Sequence, residues 1–409
     1  MTHTTDNSIG AESNGQRLAR LRARRRWTQQ RLATEAGYSL VAVKKFEQGR
    51  RSLDRPAVIL AFAQALDCHP TEITGAPYVP AHADRDGQAA VASVAAVRRA
   101  LLRHGRPARP TEQEASAVDL PELRQRVDEA NRHRQAAALT KSGNVLPTLL
   151  RDLQVAAELT HGNDRRDVFG MLASAYECAM QYLYKLGHTS DATLATERVQ
   201  WASQETGDPL RVLAARWYDA GEFLTIGEHD EAAHIIDDAL TELGAIRSPG
   251  PEAVSLRGAF HLKASLNLAR ATDTKAAVRH LKHAETAAEE LGEDRNDWQM
   301  QFGPTNTALW AVSLPVEMGR GKEAVARAEK VKLPKGYSRE RHSHFHIDRG
   351  RAHFYNGQRE EAVRAFLDAE RLAPQATRAH AGVRETVGTM IRTQKRGHLV
   401  ELGIRLGVV

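Results

Sequence analysis

Residues 27–51 read Trp27-Thr28-Gln29-Gln30-Arg31-Leu32-Ala33-Thr34-Glu35-Ala36-Gly37-Tyr38-Ser39-Leu40-Val41-Ala42-Val43-Lys44-Lys45-Phe46-Glu47-Gln48-Gly49-Arg50-Arg51. Thr28 is a good N-cap, so a helix is expected over Gln29–Glu35, ending at Ala36-Gly37. Gly37 suits a tight turn with positive φ. Ser39 then caps a second helix over Leu40–Gln48, which stops at Gly49. Outward from this pair, Gly15–Arg26 is amphipathic, with Leu18 and Leu21 among arginines, and Pro56 opens a further helix to Leu66. Leu32, Ala36, Val43, Phe46, Leu53, Leu60, Phe62 and Leu66 form the expected core.

Charge is concentrated in the same place. Between Gly15 and Gly75 stand twelve Lys or Arg and five acids, a net of +7. The remaining 45 basic and 46 acidic residues leave −1, so the whole +6 excess of the chain comes from one small module. That is the footprint of a polyanion binder.

The order Trp27–Ala33, Ala36–Ser39, Val43 and Phe46–Arg51 resembles the lambda-repressor-like (Cro, XRE) family of helix-turn-helix regulators over about 60 residues. The resemblance implies that the second motif helix enters the major groove of double-stranded DNA. Carried over by position, Ser39, Leu40, Val41, Lys44 and Lys45 face the groove. Gln29 reaches a phosphate or base, and Arg50 and Arg51 hold phosphates. Leu40 and Val41 stand where the family more often has polar residues, which shifts base readout toward the lysines and apolar contacts.

The rest of the chain reads as helical. The organisation expected is a disordered tail over 1–14, the helix-turn-helix domain over 15–75, and a linker with one helix over 76–117. A repeat solenoid follows over 118–375, and a pair of capping helices over 376–409 carries Leu399, Leu402 and Leu406 as an apolar stripe. The repeat signal is LGHTSDAT (Leu186–Thr193), IGEHDEAA (Ile226–Ala233), RATDTKAA (Arg270–Ala277), MGRGKEAV (Met318–Val325) and NGQREEAV (Asn356–Val363). Ala192, Ala232, Ala276, Ala324 and Ala362 stand in register, spaced by 40, 44, 48 and 38 residues. Such an array of helical hairpins builds an α-solenoid. With Gly350, Phe366, Ala369 and Pro374 around Ala362, the last unit resembles the tetratricopeptide repeat, and Asp119–His161 reads as a further, degenerate hairpin. The fold class expected is all-α: a lambda-repressor-like helix-turn-helix domain followed by a tetratricopeptide-type α-solenoid.

Counting back from the register alanines places Ser174, Glu177, Gln181 and Tyr184 on the concave face, followed by Trp217 and Thr225, His261 and Ser265, Asn306 and Ser313, and His344, Arg351 and Tyr355. Gln181, Tyr184, Trp217, His261, Asn306, His344, Arg351 and Tyr355 are the candidate ligand contacts. The combination of head and repeats resembles actinobacterial-type regulators and the peptide-pheromone receptors of Gram-positive bacteria. It implies a homodimeric, DNA-binding transcription regulator whose solenoid senses a peptide or small molecule. The alternative is an adaptor whose solenoid docks a protein partner and whose head localises it on DNA.

Other classes lack signals. No apolar run approaches the ~18 residues of a spanning helix. Cys68 and Cys178 are too few and too far apart for a disulfide scaffold or a cysteine zinc cluster, which fits a reducing cytoplasm. Gly319-Arg320-Gly321-Lys322 lacks the earlier glycine and the following Ser/Thr of a phosphate loop. His342 and His346 share a helical face, but no third ligand completes a metal site. No nucleophile motif is present, so neither enzymatic activity nor a cofactor is expected.

Overall fold

The computed structural model describes residues 12–80, 84–103, 109–394 and 397–409. Among the described residues every regular element is helical. In chain order these are α1 (Asn14–Arg24), α2 (Gln29–Glu35), α3 (Leu40–Glu47), α4 (Pro56–Ala65), α5 (Pro70–Thr74), α6 (Arg85–Ala92), α7 (Val94–Leu101) and α8 (Glu112–Ser116). The hairpin helices follow: α9 (Leu120–Gln135), α10 (Leu139–Leu159), α11 (Gly162–Lys185), α12 (Thr189–Thr206), α13 (Pro209–Ile226), α14 (His229–Gly244), α15 (Pro251–Arg270), α16 (Thr274–Leu291), α17 (Pro304–Glu317), α18 (Gly321–Ala328), α19 (Arg339–Tyr355) and α20 (Arg359–Leu372). The last are α21 (Pro374–Ala379), α22 (Ala381–Thr393) and α23 (Gly397–Arg405). The chain divides into two compact units, Met1–Asp84 with Arg378–Val409, and Arg85–Thr377.

The first unit is built on the expected core. Leu32, Val43, Phe46, Leu53, Phe62 and Leu66 are almost wholly buried, joined by Leu18, Val58 and Ile73. Phe46 meets Phe62 edge-on at 5.8 Å between ring centres. Thr28 and Ser39 cap α2 and α3 as expected, accepting from the N–H groups of Arg31 and Ala42. Gly37 and Gly49 take φ of +72° and +66°.

Three boundaries differ from the sequence reading. The disordered tail expected over 1–14 lies outside the described residues for 1–11, and it fails for the rest. Ser13 caps α1 through a reciprocal pair with Gln16, and Asn14 is buried. The linker expected over 76–117 holds three helices rather than one, and Asp84 marks the end of the first unit. Ala90, Val94, Val97 and Leu101 of α6 and α7 are buried in the core of the repeat unit, and the Tyr182 hydroxyl donates to the Ala90 carbonyl at 2.5 Å. Alanine-rich helices flanked by Pro77, Pro80, Pro107 and Pro110 look like a linker in sequence, because partners of theirs lie 51 to 92 residues further along the chain.

The third correction concerns the C-terminus. α22 and α23 do not cap the repeats but belong to the head unit. Leu399, Leu402 and Leu406 are buried, so the apolar stripe is real and its partner is different. The Asn14 N–H donates to Glu385 Oε2 at 3.0 Å. Arg392 donates to Glu385 Oε1 at 3.1 Å and, through Nε, to the Gly49 carbonyl at 3.3 Å. Thr386 donates to Asp54 at 3.4 Å. Arg378 pairs with Asp84 at 2.9 Å, which pins together the two points where chain leaves this unit.

In the second unit the hairpins are α9–α10, α11–α12, α13–α14, α15–α16, α17–α18 and α19–α20. Each register alanine lies in the first turn of a second helix and is buried, 0% exposed at Ala192, Ala232, Ala324 and Ala362 and 7% at Ala276. Gly350 is required by packing: a Cβ there would stand 2.5 Å from the Phe366 ring. The coil returns on itself. Ser338, before α19, donates to the Gln135 carbonyl at the end of α9, and Lys185 of α11 pairs with Glu340 of α19 at 2.5 Å. The α16–α17 connection folds inward. Gln299 accepts from Gln135 at 2.7 Å, and the Trp298 carbonyl accepts from Tyr218 at 2.8 Å.

Glu385→Ala removes the acceptor of the Asn14 amide and the partner of Arg392. The expected cost is about 2–3 kcal/mol. Hydrogen exchange should accelerate in α1 and α22 and stay unchanged in α11–α16; acceleration in the repeats instead would contradict the assignment of α22 to the head. Gly350→Val should lower stability by about 1–3 kcal/mol through overpacking against Phe366, read by urea unfolding.

Candidate functional site

Two places carry charged or polar groups that the fold does not need for its own core. The first is the outward face of α3. Ala42, Val43 and Phe46 turn into the core, so the opposite face carries Val41, Lys44 and Lys45 into solvent. Val41 is 60% exposed, an apolar side chain left in water at the middle of the motif. Ser39 is exposed and its hydroxyl oxygen accepts from the Ala42 N–H, while Leu40 is half-buried. Arg50 and Arg51 are exposed just beyond α3, with Arg51 lying 5.0 Å over the Phe46 ring. On α2, exposed Arg31 lies 4.4 Å over the Trp27 ring.

Gln29 differs from the other candidates. It is half-buried and donates to Glu47 at 2.6 Å, and Glu47 in turn accepts two bonds from Arg22 at 2.6 and 3.0 Å. This network ties α1 and the start of α2 to the end of α3. Gln29 is thus a positioning residue whose amide is engaged inside the head.

The second place is the inner face of the repeat unit, where the first helices of the hairpins meet. Along α11, Gly170, Ser174, Glu177, Gln181 and Lys185 follow one another at three- and four-residue steps, one stripe of a helix. On α9 the corresponding stripe is Val127, Asn131 and Arg134. Glu177 is 1% exposed, Asn131 4% and Arg134 5%. Arg211 of α13 approaches Glu177 to 3.5 Å. Burial pushes the Glu177 carboxyl up to about 7, against the opposing pull of Arg211 and Arg134. Further along, Lys263 is buried with its ammonium 3.4 Å over the Trp217 ring, and burial brings its pKa down to about 7.

The eight residues nominated from sequence fall into different settings. Trp217 stands with Lys263 and donates to the Ala259 carbonyl at 3.0 Å. Arg351 is buried, ion-paired with Glu317 and Asp348, and donates to the Tyr355 hydroxyl at 3.2 Å. His344 lies near Lys185 and Glu340, and burial lowers its pKa to about 3. Gln181 is half-buried on the α11 stripe, whereas Tyr184 is exposed. His261 turns toward the second helix of its own hairpin, with its Nδ1 3.1 Å from that of His280, and Asn306 donates to the nearby Met300 carbonyl. The count from the register alanines missed Arg134, Arg211, Tyr218 and Lys263. Arg134 lies in the degenerate hairpin where no register alanine exists. Buried arginine and lysine are read from sequence as surface residues. The stripe Val127–Asn131–Arg134 is a signal that could have found the first.

Among the described residues no group of three or more His, Cys, Asp or Glu side chains is placed to hold a metal ion. No helix among them is long and apolar enough to cross a membrane.

A raised carboxyl pKa means that folding favours the protonated form of Glu177, so its contribution is most favourable below the unfolded value and is lost as pH rises toward 7. Glu177→Gln should therefore melt close to wild type at pH 5 and several degrees above it at pH 8, measured by calorimetry. Equal melting temperatures at both pH values would show that Glu177 is ionised and well paired.

Comparison with known proteins agrees with the geometry of the head. No curated protein matches the chain. Among solved structures it is similar to the crystal structure of Bacillus thuringiensis PlcR in complex with the peptide PapR7 and DNA. The identity is 13%, covering 88% of this chain and 99% of that one, with a TM-score of 0.32. Residues 15–74 match the family model described as a helix-turn-helix domain. With α2 and α3 joined through Gly37 and capped by Thr28 and Ser39, this part of the chain is a helix-turn-helix domain.

Proposed function

We propose that the protein is a sequence-specific transcription regulator, not an enzyme, that works in the cytoplasm as a homodimer and takes a peptide or small-molecule effector in its helical-repeat unit. The observation that carries this reading is the cationic outward face of α3 and its flank, Lys44, Lys45, Arg50 and Arg51, on a helix-turn-helix domain of net charge +7. In that reading α3 lies in the major groove. Lys44 and Lys45 reach guanine edges, Ser39 touches the rim of the groove, exposed Val41 with Leu40 meets a thymine methyl, and Gln29 acts through its bond to Glu47 at the end of α3. Arg50 and Arg51 hold phosphates and fix the register.

The repeat unit supports a small effector over a protein partner. Glu177, Asn131 and Arg134 are nearly closed off from solvent, and the flat surface of a folded protein cannot reach them. An effector that fits one arrangement of the coil better than another would shift the balance between arrangements, and one that fits both equally would change nothing.

DNA selection from a random library should return a palindromic site with half-sites about one helical turn apart for a dimer. Lys44→Ala/Lys45→Ala should abolish the enrichment. On nonspecific DNA the same variant should weaken binding and reduce the slope of log affinity against log salt by about 2, if both lysines contact phosphate as well. Enrichment that survives the double substitution would rule out α3 as the reading helix.

A further inference from the structure

At one place inside the repeat unit, several polar atoms are buried without a hydrogen-bond partner: Glu177 Oε1 and Oε2, Arg134 Nε and Nη2, Arg211 Nη1 and Asn131 Oδ1. Each such group forfeits its hydration and gains nothing direct in return, so a cluster of them is costly to the folded chain. Elsewhere in the same unit one buried charge network is directly hydrogen-bonded. Arg351 sits between Glu317 and Asp348, and Arg270 donates to Glu317 at 3.0 Å. The Glu177 cluster is different in that its ion pair with Arg211, at 3.5 Å, makes no hydrogen bond and both carboxyl oxygens are left without a donor.

The cluster adjoins open space. A cleft of about 370 Å³ is lined by Val127, Gly170, Ser174 and Arg211 among others. Gly170 and Ser174 precede Glu177 on the α11 stripe, and Val127 precedes Asn131 and Arg134 on the α9 stripe, so the cleft leads toward the unpartnered groups. Small residues at 170 and 174 keep it open. Its mouth also holds Arg124 with Asp167, an ion pair at 3.3 Å. Arg211 belongs both to the lining and to the cluster; the lining itself balances Arg124, Arg166 and Arg211 with Asp128, Asp167 and Asp208, while behind it two guanidinium groups, Arg211 and Arg134, act on the one carboxyl of Glu177.

We infer that the cleft between α9, α11 and α13 binds a small ligand by its carboxylate, seated between Arg134 and Arg211, with Glu177 accepting from a ligand N–H or O–H next to that carboxylate. Guanidinium groups match a carboxylate with charge-assisted hydrogen bonds, and the orphaned nitrogens supply the donors. The acceptors left on Glu177 call for a donor a few bonds from the carboxylate. Two sources share this chemistry: the C-terminal residue of a peptide and a free hydroxy acid. The volume accommodates a drug-sized ligand or a few peptide residues. The inference rests on the reading of the repeat unit as a sensor, and its test uses no DNA, so failure of the head to bind DNA leaves the outcome unaffected.

The test is thermal stability of the full chain at matched ionic strength. The probes are a tetrapeptide mixture with free C-termini, the same mixture as C-terminal amides, and 2-hydroxybutyrate. At least one free acid should raise the melting temperature saturably, by about 3 °C or more at high occupancy. The amides should not. The shift should fall by more than half in Arg211→Gln and in Ser174→Trp, the second of which fills the cleft while keeping every charged side chain and guards against a folding defect in the first. A shift from the peptide acids alone assigns the carboxylate to a peptide C-terminus; a shift from 2-hydroxybutyrate assigns it to a free acid. Equal shifts with acid and amide, equal shifts in wild type and Ser174→Trp, or no shift with any free acid overturn the proposal.

Discussion

Close approach of paired helices at small residues is the constraint on which the repeat unit depends. A hairpin whose second helix opens with a buried alanine, as at Ala192, Ala232, Ala324 and Ala362, brings its two backbones together where a larger side chain would hold them apart. Gly350 against the Phe366 ring is the same constraint without even a Cβ. Repeated hairpin after hairpin, a small rotation accumulates into a coil. Here it goes far enough for α19 to meet α9 and for Lys185 to pair with Glu340. The first helices therefore enclose an interior instead of lining an open groove.

Enclosure changes what a charged side chain means. On an open concave face Glu177, Arg134 and Lys263 would be hydrated and ordinary. Inside the coil burial raises the pKa of the acid and lowers that of the lysine, and the protein carries groups whose replacement by apolar residues would often cost nothing or stabilise it. The α16–α17 connection adds to this. Trp298, Gln299 and Gln301 take positive φ, a conformation costly for residues with a Cβ, and they are held there by Tyr218, Gln135 and the inward packing of Phe302 against Gly258. Buried charge and backbone strain in one region are features that a purely structural interior would shed.

The head is composite. Its four-helix core would look complete from Gly15 to Leu66, yet Glu385 caps the first amide of α1 and Arg392 holds the Gly49 carbonyl at the end of the motif. The repeat unit is in this sense inserted into the head, since chain leaves at Asp84 and re-enters at Arg378, and those two residues are ion-paired. The end of α3 is gripped from two sides, by the Arg22–Glu47–Gln29 network and by the contacts of α22 near Gly49 and Asp54. Under the proposed function α3 must hold its side chains rigidly, and both sets of contacts serve that end.

Local signals determined the helix-turn-helix motif and the existence of the repeats. Thr28, Ser39 and Gly37 act within a few residues of themselves, and the register alanines repeat at nearly constant spacing, so caps, turns and hairpins were legible without any long-range information. The outward face of α3 was legible for the same reason: once Val43 and Phe46 face inward, geometry places Lys44 and Lys45 outside. The tertiary structure alone decided the rest. That α6 and α7 join the repeat core, that α22 and α23 complete the head, and that Arg134 and Arg211 converge on Glu177 all depend on contacts between residues far apart in sequence. An apolar stripe such as Leu399, Leu402 and Leu406 says that a helix must be covered, because burial is favourable; it carries no address for the surface that covers it.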